Sequence, residues 1–97
     1  MSLPIFASHS KTYATVAVDI NLLTDGNAQL PAGVRASGPT AACKRLIIRG
    51  AGVLHIQYAN GSQDTMTVLA GEIIDGEITK ILVDTSTATN ITAYWGT

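Results

Sequence analysis

Val53-Leu54-His55-Ile56-Gln57-Tyr58-Ala59-Asn60-Gly61-Ser62-Gln63-Asp64-Thr65-Met66-Thr67-Val68-Leu69 is the stretch that decides the fold. Two runs of strand-forming residues flank Asn60-Gly61. Asn-Gly is a strong short-range hairpin signal, because a type I′ turn needs positive φ at both central residues. The spacing predicts that the two runs pair antiparallel. Alternation puts Leu54, Ile56 and Tyr58 on one face, with Val53, His55 and Gln57 on the other. Across the hairpin, Met66 and Val68 share a face, and Thr65, Thr67 and Leu69 take the opposite one.

The same rhythm continues on both sides. Upstream, CKRLIIR (43–49) leads into Gly50-Ala51-Gly52, a tight turn or bulge between strands. Downstream, Ala70-Gly71 and Asp75-Gly76 read as turns. The segment EITKILVD (77–84) is apolar on both faces, as a central or covered strand would be. A Ser/Thr loop follows, and TNITAYW (89–95) closes the pattern with Ile91, Ala93 and Trp95 together and Thr92 and Tyr94 opposite. The structural turn positions are Gly50, Gly52, Asn60, Gly61, Gly71, Asp75 and Gly76. Short, regularly spaced strands without a helical period predict an all-β fold. The expected architecture is a small antiparallel β-sandwich, jelly-roll-like, or a partly open barrel.

The N-terminal half is less regular. Residues 1–11 read as an extended arm, either a frayed terminus or a strand or clamp packed on a neighbouring subunit, in which Leu3, Ile5 and Phe6 flank Pro4 and need cover. YATVAVDI (13–20) alternates, with Ala14, Val16, Val18 and Ile20 on the core side. A long loop follows at about 21–42, holding Asp25-Gly26-Asn27, Pro31, Gly33 and Gly38-Pro39. Leu22, Leu23 and Leu30 would pin it, and a short extra strand near Val34 fits the pattern. The expected organisation is an arm at 1–11 and one β-domain at 12–97.

Composition narrows the function. The chain has 97 residues and a net charge of −1. Charged residues make up 13%, against about 25% in an average soluble domain. Hydrophobic residues make up 46%. A small domain leaves most residues facing water, so this deficit points to a surface partly covered by neighbouring subunits, a composition that extracellular β-domains without a partner also show. Lys44-Arg45 and Arg49 are the densest positive patch, too few for a counterion-release interface with nucleic acid. No apolar run approaches the ~20 residues that span a bilayer, and MSLPIFASHSK is not a convincing signal peptide. The expectation is therefore no direct nucleic-acid or membrane partner. The one cysteine, Cys43, rules out an internal disulfide.

Catalytic and metal patterns are weak. His9 and His55 have no second ligand or carboxylate at a recognisable spacing. Cys43 reads as a structural thiol in a strand. Asp19, Asp25 and Asn27 do not fit a calcium loop, and Asp25-Gly26 reads as a turn. Gly50-Ala51-Gly52 has no helix and no Lys-Ser/Thr behind it, so it is not a phosphate loop. Asn60-Gly61-Ser62 and Asn90-Ile91-Thr92 match the glycosylation sequon, but the hairpin and the Thr-rich strand account for them. The expectation is no enzyme activity, no metal and no cofactor.

Lys44-Arg45-Leu46-Ile47-Ile48-Arg49-Gly50-Ala51-Gly52-Val53-Leu54 resembles the opening of the small spike base proteins of tailed phages and gene transfer agents. Leu69-Ala70-Gly71-Glu72-Ile73-Ile74 resembles their turn before an apolar strand. Thr85-Ser86-Thr87-Ala88-Thr89-Asn90-Ile91-Thr92-Ala93-Tyr94-Trp95 resembles their Thr-rich closing segment with its near-terminal Trp. The stretch from Leu22 to Ala42 is longer than the family pattern. The resemblance implies a virion protein without catalytic residues: a small β-domain that oligomerises on the particle and carries or braces a fibre. It would be made in the host cytoplasm and end in the virion. Its partners would be its own copies and virion proteins such as capsid or fibre, and a cell-surface glycan would be reached only through such a partner. Interface candidates are Leu3, Ile5, Phe6, Leu22, Leu23, Leu30, Tyr94 and Trp95.

Two other readings stand beside this one. A carbohydrate-binding β-sandwich module would expose Tyr13, Tyr58, Tyr94 and Trp95 for stacking on sugar rings. A tail-associated structural subunit would share the surface chemistry of a head protein. The direction of Tyr94 and Trp95 separates the first of these from a subunit interface.

Overall fold

The computed structural model describes residues 7–29 and 43–96. Among these residues, seven strands and one helix follow the order β1 Ala7–Tyr13, β2 Ile20–Asn21, α1 Leu22–Gln29, β3 Cys43–Gly50, β4 Gly52–Tyr58, β5 Gln63–Val68, β6 Ile73–Ile81 and β7 Thr89–Gly96. All strand pairs are antiparallel, in the sheet order β1-β7-β3-β6-β4-β5, with β2 also on β6. Only β4 and β5 are neighbours in both sheet and sequence. The other connections cross over, as in Greek-key domains. The fold is the small all-β domain that alternation predicts.

Strand β6 joins the two halves of the sheet. Its first part pairs with β3 and its last part with β2 and β4. Gln57 faces Lys80 while Tyr58 faces Ile78, so Thr79 is an extra residue in the ladder. A bulge of this kind bends a strand and shifts its alternation by one. Ile78 and Ile81 therefore both point inward and are fully buried. Thr79 is also buried, and its hydroxyl donates to the carbonyls of Gln57 at 3.2 Å and Tyr58 at 3.4 Å. The apolar character on both sides of this strand thus comes from its central place and its bulge.

One core fills the space between the halves. Leu46, Ile48, Ile91, Ala93 and Trp95 enter from β3 and β7; Leu54, Ile56 and Val68 enter from β4 and β5. Beyond β6, residues 82–88 run along β4. Leu82 N–H donates to the His55 carbonyl at 2.8 Å and Thr87 N–H to the Val53 carbonyl at 2.8 Å. The Ser86 and Thr87 hydroxyls accept from the backbone N–H groups of His55 and Val53. The Ser/Thr loop is therefore a polar flank on the sheet.

Several expectations are corrected. The first strand is Ala7–Tyr13, not 13–20, so the arm boundary at residue 11 falls inside a strand paired with β7. Residues 22–29, expected as loop, form helix α1. The Asn21 side chain caps it, accepting from the N–H groups of Leu23 at 3.1 Å and Thr24 at 3.2 Å. The suggested strand near Val34 lies outside the described residues. Asp75-Gly76 is not a turn but part of β6, at a second bulge where Cys43 faces Ile78 and Arg45 faces Asp75.

Gly50-Ala51-Gly52 joins two strands that do not pair with each other. A Cβ at Gly50 would sit 1.8 Å from Thr89 Oγ1, and one at Gly52 would sit 2.7 Å from Ala88 N. These glycines let the 87–89 backbone approach the corner. The hairpin turn also differs from expectation. Tyr58 N–H donates to the Ser62 carbonyl at 2.8 Å, and Gly61 N–H donates to the Tyr58 carbonyl at 2.9 Å. Gly61 has φ 89°, while Asn60 is not among the positive-φ residues. This is a three-residue loop ending in a glycine bulge, not a type I′ turn.

Candidate interaction surface

The outer face of the β1-β7-β3-β6 half is built by alternation. Ile91, Ala93 and Trp95 point into the core, so Thr92 and Tyr94 lie on the opposite face, where Thr92 is itself buried and Tyr94 half-buried. The pairing register sets two rows across four strands. One row is Ser10, Tyr94, Arg45 and Asp75; the other is Thr12, Thr92, Ile47 and Ile73. Tyr94 and Ile47 are half-buried, and Ile73 is 55% exposed. The face presents Tyr and Ile among hydroxyls.

Its polar groups are mutually engaged. Thr12 and Thr92 hydroxyls lie 2.8 Å apart, and Arg49 donates to the Thr92 hydroxyl at 2.6 Å. Arg45 forms a two-point pair with Asp75, its Nη2 donating to Oδ2 at 3.0 Å. Lys44 Nζ donates to Glu77 Oε1 at 2.7 Å. The hydrogen bond from Arg45 holds the Asp75 carboxyl below its ordinary range, and that from Lys44 does the same for Glu77. The two ion pairs lower the cost of covering their charges, while Arg49 meets a neutral hydroxyl.

The interface candidates from sequence divide. Leu3, Ile5, Phe6 and Leu30 lie outside the described residues. Tyr94 stands on the outer face and Leu23 is 41% exposed on α1. Leu22 and Trp95 are corrected. Both are fully buried in the chain's own core, where Trp95 Nε1 donates to the Leu22 carbonyl at 3.0 Å. Trp95 thus anchors the helix instead of a partner. Sequence reasoning missed Ile73 as a surface residue, since it precedes the expected Asp75-Gly76 turn. Once 73 and 75 are placed in one strand, period-2 alternation puts both on one face.

The candidate chemistry residues have structural duties. Tyr13 is buried and its hydroxyl donates to Asp25 Oδ2 at 2.7 Å; burial first, then this bond, pushes its phenol well up. Asp19 Oδ1 accepts from Val83 N–H at 2.8 Å. His55 lies between the Asp84 carbonyl at 2.9 Å and Gln63 Oε1 at 3.0 Å. Cys43 is buried, its thiol donating to the Arg45 carbonyl at 3.1 Å, and burial pushes it up to about 11. Among the described residues, no three His, Cys, Asp or Glu side chains form a metal-holding group, and no helix is long and apolar enough to cross a membrane. Of the four aromatics that sugar stacking would require, Tyr13 and Trp95 are buried. No family model, no curated protein and no solved structure matches the chain.

Proposed function

We propose that this chain is a non-enzymatic virion structural protein, a head spike base or capsid decoration subunit. It associates with its own copies and attaches through its outer sheet face to another virion protein, capsid or fibre. The observation that carries this reading is that face: a four-stranded surface with Tyr94, Ile47 and Ile73 set among prepaired charges and hydroxyls. Interface cores favour such aromatic and aliphatic groups and are poor in free charge. The low overall charge and the motif resemblance support the same reading. Burial of Trp95 and Tyr13 weighs against a sugar-stacking module. The test is a protein inventory of particles purified from the cells that make this chain. The expected result is the chain at many copies per particle, retained through a density gradient. Its absence from intact particles while abundant in the lysate would overturn the reading.

A further inference from the structure

Among the described residues, strand β5 ends the sheet and no strand covers its outer edge. Its ladder with β4 runs without a register shift from Gly52 opposite Val68 to Gln57 opposite Gln63. The carbonyls of Val53 and His55 accept from Thr87 and Leu82, on the side away from β5. In an antiparallel ladder, facing residues exchange both bonds or neither. Thr67 and Thr65, which face Val53 and His55, therefore turn their backbone groups away from β4, along the free edge. Among the described residues, no strand pairs with that edge.

Sheet edges are ordinarily protected by proline, lysine, a bulge or short length. The other edge, β1, carries a register shift between Ala7 and His9 and a lysine, Lys11. The sequence of β5, QDTMTV, has no proline, lysine or bulge over six residues, and its protection is a single acidic residue facing Ile56 on the core side. Thr65 and Thr67 are exposed, β-branched and suited to a strand. Asp64 is its one charge.

We infer that β5 is a self-association edge, pairing antiparallel with β5 of a second copy across a two-fold axis at Thr65. This rests on the self-association part of the proposed function. The register is self-complementary. Thr65 faces its own copy, Gln63 faces Thr67, and Asp64 faces Met66, so the like charges do not stand opposite each other. The same register brings Leu69 of each copy beside Gly61 of the other. Leu69 is 64% exposed, and the space where a Gly61 side chain would stand is open for 4 Å. A shallow depression lined by Tyr58, Ala59, Asn60, Ser62 and Glu77 adjoins that hairpin tip. An unrelated peptide would need none of this matching, which is why a second copy is the occupant.

The test uses the full chain and native mass measurement between roughly 1 and 100 μM, with Thr65→Lys, Thr65→Cys and Thr67→Cys. Facing residues in a bonded antiparallel pair have Cα atoms about 5.5 Å apart, within disulfide range. Thr65→Cys is expected to oxidise to a covalent dimer. Thr67→Cys, whose two copies would stand four residues apart, is not. Thr65→Lys places two ammonium groups opposite each other and is expected to weaken association at least tenfold, with an unchanged far-UV spectrum. If the wild type oligomerises but Thr65→Lys does so equally and Thr65→Cys fails to cross-link, the edge proposal is overturned and self-association stands. If the wild type is monomeric throughout, both fall.

Discussion

Two turn residues with positive φ predict opposite mutational signs. Gly61 has φ 89° and no neighbour within 4 Å of a built Cβ. Gly61→Val meets no clash, so its cost is backbone strain alone, roughly 1–2 kcal/mol. A chemical-denaturation midpoint equal to wild type would refute the glycine-bulge turn. Thr85 has φ 66° and is exposed. A β-branched residue there is an outlier, so Thr85→Gly relieves strain and loses no packing. The expected gain, after the entropy glycine loses on folding, is about 0.5–1 kcal/mol. A third residue sets a pH limit. Burial raises the Cys43 thiol from 9.0 to about 11. The folded state thus holds this proton more tightly than the unfolded chain. The contribution is full below pH 9 and is lost as pH rises from 9 through 11, roughly 2–3 kcal/mol in all. Wild type should lose more stability over that window than Cys43→Ala. Parallel pH profiles would show that the thiol does not titrate on unfolding.

The helix is the element whose stability is most local. α1 is eight residues long and holds Gly26 at a buried position. Short helices are marginal without tertiary support. Here the support is Trp95 Nε1 on the Leu22 carbonyl, Tyr13 on Asp25, and the Asn21 cap. Asn21→Ala should cost about 1 kcal/mol, read as a lower thermal midpoint, with the Trp95 fluorescence of the native state preserved. No change in midpoint would show that Trp95 and Tyr13 hold the helix without the cap. This element was illegible in the sequence because Asp25-Gly26-Asn27 carries turn chemistry and eight residues give little period. The β4–β5 hairpin was legible because six residues alternate on each side of Asn60-Gly61 and nothing long-range decides their pairing. β7 was legible for the same reason, with Ile91, Ala93 and Trp95 on the core side. β6 was readable as central but not in its register, since the bulge at Thr79 depends on β4, a partner far away in sequence. Tyr13 to Ile20 alternated as well, yet β1 ends at Tyr13, opposite Ile91 and beside Asn90, whose positive φ of 51° breaks the extended run of β7. The candidate surface was half legible. Tyr94 followed from alternation, while Ile73 was hidden by a dipeptide that looked like a turn.

At the scale of the whole molecule, two surfaces have separate tasks, and one substitution can distinguish them. The outer face carries Ile73 opposite Ile47 on β3; the β5 edge lies on the other half of the sheet. A change at Ile73 should therefore affect attachment to a different virion protein and leave pairing between copies intact. Ile73 is 55% exposed, so an aspartate there leaves the core unchanged and should cost about 1 kcal/mol, through lost strand propensity and the cross-strand contact with Ile47. A carboxylate at the end of this row would be desolvated opposite Ile47 on a covered face, where Arg45 is already taken by Asp75 and Arg49 is held by the Thr92 hydroxyl. Ile73→Asp is thus expected to keep the native mass and the cooperative melting of the purified chain and to lower its copy number on particles at least tenfold. The measurement is quantitative mass spectrometry of gradient-purified particles made with each variant. An undiminished copy number would mean that this face looks onto solvent in the assembled particle and that attachment lies elsewhere. A changed native mass would mean instead that the outer face, and not the β5 edge, joins the copies.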